Sequence, residues 1–174
     1  MKTESSTAIV KSYSYGEDVK GVMAIEKLVY GRPWTLEDLK YWNRTSCGGF
    51  VAKLEGKLVG YLFYEVKSGV LEISNIAVMP SKQRQGIATA LLDSLKEKAR
   101  LVGDGFASAA RIKCFVRETA KELQLCLKAN HFWATKVVRE HFDDNKEDAY
   151  RMDFPKPAAP AQATTRRTRR DKKQ

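Results

Sequence analysis

A chain of 174 residues with 43% hydrophobic content holds enough apolar material for one compact core and not comfortably for two. Its formal net charge of +10 is unevenly placed: residues 155–174 carry seven Lys and Arg against one Asp, a local +6 that leaves +4 for the rest. Collagen-like, repeat and wholly disordered classes are excluded by composition, and the uneven charge argues against a uniformly basic nucleic-acid-binding domain.

The opening Met1-Lys2-Thr3-Glu4-Ser5-Ser6 is polar and leads into no apolar signal segment, and no run approaches eighteen apolar residues. Cys47, Cys114 and Cys126 form no CxxC pair, and with only His131 and His141 there is no zinc-like cluster. A soluble, cytoplasmic protein with no metal and no membrane contact is expected.

In chain order, residues 8–15 read as a first strand and 17–30 as an amphipathic helix, with Val19, Val22, Met23, Ile25, Glu26 and Val29 at helical spacing. Gly31-Arg32-Pro33 breaks it. Thr35 then caps a second short helix to Trp42, with Asp38 placed for a capping interaction. Cys47-Gly48-Gly49 reads as a loop. A hairpin follows over residues 50–54 and 58–66 around Glu55-Gly56-Lys57, and Lys67-Ser68-Gly69 turns into a strand over 70–79 ended by Pro80. Residues 86–100 are helical, with Ile87, Leu91, Leu92 and Leu95 on one face. Residues 102–108 read as loop, 110–116 as strand, 119–129 as helix, and 132–142 and 149–154 as two last strands. The order β-α-α-β-β-β-α-β-α-β-β implies an α+β (mixed α/β) fold, largely antiparallel in its first half, with one βαβ crossover. A single domain over residues 1–154 is expected. Beyond Phe154, Pro-Lys-Pro-Ala-Ala-Pro and the Thr/Arg/Lys run show no apolar periodicity, so residues 155–174 read as a disordered basic tail.

The informative segment is Asn75-Ile76-Ala77-Val78-Met79-Pro80, then Ser81-Lys82-Gln83-Arg84-Gln85-Gly86-Ile87-Ala88-Thr89. It is a strand, a short basic loop, and a helix whose first turn holds Gly86 and Ala88. Small residues let a ligand approach the backbone there, and the free N–H groups and positive dipole end of the helix suit a pyrophosphate.

This string resembles the acetyl-CoA-binding motif [Gln/Arg]-x-x-Gly-x-[Gly/Ala] of the GNAT acetyltransferase superfamily, here Gln83-x-x-Gly86-x-Ala88, and the resemblance covers about residues 8–154. Within that superfamily, Gly31-Arg32-Pro33-Trp34-Thr35 and the segments 138–142 and 147–152 are similar to the RimI-like ribosomal-protein alanine N-terminal acetyltransferases. The resemblance implies a GNAT fold with a sheet of about seven strands. It implies that the backbone of Ile76, Ala77 and Val78 takes the pantetheine arm and acetyl group, and that Gln83, Arg84, Gln85, Gly86, Ile87, Ala88 and Thr89 take the pyrophosphate. Trp34 and Tyr150 are the implied substrate contacts.

The chain departs from that branch where acid–base side chains are expected. Phe115 stands at the position of the basic Glu, Ala120 at a cofactor-contacting Asn, and Leu127 at the tyrosine that protonates the leaving thiolate. Spacing from the motif in the histone-acetylating branch places a Glu at Glu72 instead. An acid among Leu71 and Ile73 is expected to have a raised pKa suited to a base near neutrality. Glu26 is the second candidate base.

The expected activity is therefore acetyl transfer from acetyl-CoA to an amine, foremost a protein α-amino group. A small-molecule amine acetyltransferase or a CoA-binding pseudoenzyme are the alternatives. Neutralising an α-amine of pKa about 7.7–8.0 at pH 7 costs about 1–1.4 kcal/mol, against about 4.6 kcal/mol for a lysine. The tail adds an expected contact with ribosome or RNA.

Overall fold

The computed structural model describes residues 7–45, 47–103 and 111–155. Its elements are β1 (Ile9–Ser12), α1 (Tyr15–Val29), α2 (Leu36–Arg44), β2 (Cys47–Leu54), β3 (Lys57–Lys67), β4 (Val70–Val78), a 3₁₀ turn (Pro80–Lys82), α3 (Ile87–Gly103), β5 (Arg111–Arg117), α4 (Lys121–Ala129), β6 (Trp133–Phe142) and β7 (Glu147–Phe154). The expected order of strands and helices holds throughout. Of the loop expected over 102–108, residues 102–103 belong to α3 instead. Residues 104–110, where the rest of that loop and the first residue of the expected strand fall, and the tail from Lys156 lie outside the described residues. Among the described residues no helix is long and apolar enough to cross a membrane.

The strands form one seven-stranded mixed sheet in the order β1-β2-β3-β4-β5-β7-β6, with β4 and β5 its parallel neighbours. Two tight turns set the register of the first half. Glu55 and Gly56, then Ser68 and Gly69, all take positive φ, the conformation that twists a two-residue hairpin to match its strands. Sequence alternation then divides the core. Val51, Tyr61, Phe63 and Ala77 face α1 and α2, while Leu62, Tyr64, Leu71, Ile73, Ile76 and Val78 face α3.

Each helix buries the stripe its sequence dictates: Val22, Ile25 and Glu26 from α1, Leu39 and Trp42 from α2, Leu91, Leu92 and Leu95 from α3. Helix α1 opens with the Asp18 carboxylate accepting the Ser14 N–H at 2.9 Å, while Lys53 of β2 pairs with Asp18 at 2.7 Å. Helix α2 carries the expected capping box between Thr35 and Asp38. Helix α4 ends where His131 turns to φ 65°, and the Asn130 amide bonds both the Cys126 carbonyl at 2.9 Å and the Thr89 hydroxyl at 3.2 Å, tying α4 to α3.

Cys47-Gly48-Gly49, expected as a loop, is the start of β2. The glycines are there for clearance. A Cβ on Gly48 would lie 2.4 Å from the Tyr64 ring, and one on Gly49 would lie 2.5 Å from Phe63 and 3.2 Å from the Leu62 carbonyl. Gly49→Ala is therefore expected to lower stability by about 1–3 kcal/mol through overpacking. Urea unfolding checks this as a lower midpoint at unchanged slope.

Candidate active site

Strands β4 and β5 pair only from Val70–Ile73 to Arg111–Cys114, although β4 runs on to Val78 and β5 to Arg117. The parting coincides with a bulge. Phe63 faces Asn75 and Tyr64 faces Ile73, so Ser74 is the extra residue that bends β4 away. A gap opens between the second halves of the two strands.

Ladder geometry decides what lines it. The Met79 N–H donates to the Val59 carbonyl at 2.8 Å, so Met79 and, two residues back, Ala77 address β3. Ile76 and Val78 then turn their backbone groups into the gap. Both carbonyls are already engaged there: the Tyr30 hydroxyl donates to Ile76 O at 2.8 Å, and the Gln83 amide donates to Val78 O at 3.2 Å. The N–H groups of Ile76 and Val78 remain as the hydrogen-bond donors that β4 offers to the gap.

Beyond Val78 the chain passes the 3₁₀ turn and enters α3 through Arg84 (φ 60°) and Gly86 (φ 79°). Positive φ at position 86 suits glycine. The first helical amides, from Ile87 to Thr89, precede the ladder that starts with Ala90 N–H on Gly86 O at 3.0 Å. An exposed, basic helix start thus lies at one end of a donor-lined gap, which fits a long ligand with an anionic middle and a hydrogen-bonding arm.

On the face of β3 and β4 that α1 covers lies a buried carboxylate. Glu26 of α1 is fully buried and accepts from the Trp34 N–H at 2.8 Å, the Asn75 side-chain amide at 2.7 Å and the Tyr61 hydroxyl. One side chain so joins α1, the loop before α2, β3 and β4. Burial, followed by the fields of Tyr30 and Glu26, pushes the Tyr61 phenol far above its usual value. Burial, then Glu26 and Cys114, does the same to Tyr30.

At the open end of the gap is a cleft of about 380 Å³, lined by Tyr30, Gly31, Arg32, Arg117, Asp144, Asn145 and Glu147. Arg117 holds its far wall. It donates to Asp144 at 2.9 and 2.8 Å, to Glu147 at 2.9 Å and to Asn145 at 3.1 Å, and it lies 3.9 Å over the Phe142 ring. Glu147 also accepts from the Thr119 hydroxyl and N–H, and these bonds, with Arg117, hold its carboxyl at about 2.

The model of the Acetyltransferase (GNAT) family matches residues 19–121, more than half of the chain. The chain belongs to this family. As a GNAT acetyltransferase it is structurally similar to the ribosomal-protein-S18-alanine N-acetyltransferase of Escherichia coli, at TM-score 0.74 and 23% identity over 89% of this chain and 97% of that one. Arabidopsis thaliana NAA60, solved with acetyl-CoA, aligns at TM-score 0.71 and 13% identity over 85% and 99%. The ribosomal-protein-alanine N-acetyltransferase of Brucella melitensis aligns at 0.67 and 18% over 83% and 98%. No curated protein sequence matches the chain.

The GNAT motif residues expected to meet the cofactor fall together along the gap and the α3 start: Ile76, Ala77 and Val78 on β4, and Gln83 to Thr89 beyond it. Glu72 falls elsewhere in character. Alternation sends Leu71 and Ile73 into the core but Glu72 to the opposite face, where Lys113 pairs with it at 2.7 Å and Glu65 is its cross-strand partner. Its partners across the sheet are charged, not apolar as the sequence suggested.

Trp34 packs on Phe63 and Trp42, with ring centroids 5.8 and 5.2 Å away, and borders a recess on the outer side of its loop. Tyr150 packs, partly buried, against the core cluster that α3 and α4 cover, and does not line the cleft. Phe115 stacks on His141 at 4.4 Å, Ala120 precedes α4, and Leu127 is fully buried. Asn75 and Tyr30 escaped the sequence reading. Glu26 carried a usable signal, a charge at helical spacing with Val22 and Val29.

Replacing Glu26 with Leu leaves three donors facing an apolar side chain. Each unmatched buried polar group costs about 1–3 kcal/mol, so a loss of at least about 2 kcal/mol is expected in urea unfolding. Glu147 gives a pH signature. Its carboxyl is held below the ordinary 4.5, so the unfolded chain binds the proton first as pH falls. Its stabilisation is complete above about 4.5 and lost on the way down to about 2. Glu147→Gln should flatten the fall of the urea midpoint across that window, measured against wild type.

Proposed function

We propose that this protein moves the acetyl group of acetyl-CoA to the α-amino group of a protein or peptide N-terminus, in the cytoplasm. The observation that carries the choice of acceptor is the protonic character of the cleft. Asp144 and Glu147 are both bound to Arg117, Glu72 is paired with Lys113, Glu26 is saturated by three donors, and Phe115 and Leu127 carry no exchangeable proton. A cleft that holds, among the described residues, no free carboxylate base favours an amine that is partly neutral by itself at pH 7, which an α-amine is and a lysine is not. The E. coli and Brucella proteins of similar fold are named as alanine N-acetyltransferases of ribosomal proteins, which supports the same reading.

The chain's own groups fit such a reaction. The α3 start, with Arg84, Gly86 and the amides of Ile87 to Thr89, receives a pyrophosphate through backbone N–H groups and the helix dipole. The Ile76 and Val78 amides hold the extended arm, and the Ile76 N–H is placed to receive charge developing on a thioester oxygen. Acetyl-CoA, when bound, supplies the activated acyl group. The cleft between Tyr30, Arg32 and the turn held by Arg117 admits the amine, so positioning two reactants at the mouth of the gap contributes to the rate.

Two measurements test this. Gly86→Glu, shown folded by its thermal midpoint, should lose acetyl-CoA binding in calorimetry, because its carboxylate enters the phosphate site. Undiminished affinity would remove the assignment of the loop. In a labelled-acetyl screen at pH 7, free-N-terminus peptides should outpace N-blocked lysine peptides by about 10²-fold, following the pKa difference. Equal rates on both would overturn the α-amine reading.

A further inference from the structure

Transfer from a thioester to an amine leaves one proton too many on nitrogen and one too few on sulfur. Something has to move it. In this chain the side chains at the two positions where such a group was expected, Phe115 and Leu127, cannot. The cleft carboxylates are committed to Arg117.

Tyr30 borders both the cleft and the gap. It lines the acceptor cleft, and among the cleft residues it is the one whose side chain bonds the backbone of β4, through its 2.8 Å hydrogen bond to Ile76 O. It therefore stands at the junction between the donor-lined gap and the amine's entry. Its backbone is fixed at the end of α1 by its N–H on Glu26 O at 2.9 Å, so the ring is held from both ends. The ionisable groups whose fields reach it are Glu26, Tyr61 and Cys114 of β5, and Glu26 in turn holds the Tyr61 hydroxyl and the Asn75 amide. Burial and the Glu26 carboxylate hold the phenol well above its usual value, so it keeps its hydrogen at any physiological pH.

We propose that Tyr30 is a catalytic residue that carries the proton from the attacking nitrogen to the departing sulfur. The nitrogen–carbon bond forms and the carbon–sulfur bond breaks. The Tyr30 hydroxyl turns from the Ile76 carbonyl, gives its hydrogen to sulfur, and takes the surplus proton of nitrogen on the same oxygen. The products are the acetamide and the thiol, the phenol is restored, and no external base is consumed. A phenol hydrogen rotates about the C–O bond without moving the ring, so the step needs no rearrangement of α1.

The proposal rests on the acetyl-CoA reading above, and the experiment separates the two. Calorimetry on wild type and Tyr30→Phe should give acetyl-CoA affinities within about threefold, while kcat for a free-N-terminus peptide falls by at least about 10²-fold in the variant. A second readout needs no turnover. With 3-fluorotyrosine at position 30, the ¹⁹F resonance should shift on adding CoA and shift differently with desulfo-CoA, which keeps the pyrophosphate and lacks the sulfur. A Tyr30→Phe enzyme within about threefold of wild-type kcat overturns the proposal and leaves the acetyl-CoA reading standing. A resonance that responds alike to the two ligands overturns it equally. Failure of wild type to bind acetyl-CoA overturns that reading and this proposal with it.

Discussion

Two parallel strands that stop pairing halfway along are the constraint on which this molecule depends. Four residues of β4 are hydrogen-bonded to β5, and then Ser74 bulges and the strands diverge. Backbone donors and acceptors in a sheet interior are costly to leave unmet, so a gap of this kind persists only if its groups find other partners. Here the two carbonyls find Tyr30 and Gln83, side chains from opposite ends of the gap. On the β4 side the protein satisfies the acceptors and keeps the donors, which biases that wall of the gap toward a ligand rich in carbonyl oxygens.

Glu26 stabilises the wall of that gap from behind. A carboxylate in an apolar layer is tolerated when every lone pair in reach is met, and three donors from three separate elements meet it here. The same residue sets the path of the loop through the Trp34 N–H, which fixes the entrance beside Tyr30 and Arg32. Packing of Trp34 on Phe63 and Trp42 closes the loop over the carboxylate and limits water's access to it. Fold stability and the shape of the cleft are consequently linked through one buried charge.

Much of this was legible in the sequence because local signals and the fold agree. Glu-Gly and Ser-Gly placed both early hairpins, the Thr35/Asp38 pair placed the start of α2, and the Gln-x-x-Gly-x-Ala string placed the α3 entry. What escaped has a common cause. Gly48 and Gly49 look like a loop because the rings that need their missing Cβ atoms come from Tyr64 and Phe63, more than a dozen residues on. The Glu26–Asn75 bond and the Tyr30–Ile76 bond span 49 and 46 residues, beyond the reach of any local pattern. Glu72 misled for the converse reason. Its flanking residues are apolar, but a strand's environment is set by the cross-strand partners, Lys113 and Glu65.

The wall of the cleft opposite Tyr30 is made differently from the wall Tyr30 belongs to. There the β6–β7 turn is drawn in by Arg117 through a partly exposed ion pair to Asp144, beside a more buried one to Glu147, and by the overlap of the guanidinium with the Phe142 ring. Exposed pairs weaken as mobile ions shorten the range of their attraction, to roughly 8 Å at physiological ionic strength, whereas the hydrogen bond between Tyr30 and Ile76 involves no net charge and is sheltered from them. Ionic strength therefore acts as a dial on one lip of the opening alone: as salt rises the turn loosens about its aromatic pivot at Phe142, and the throat behind it keeps its width.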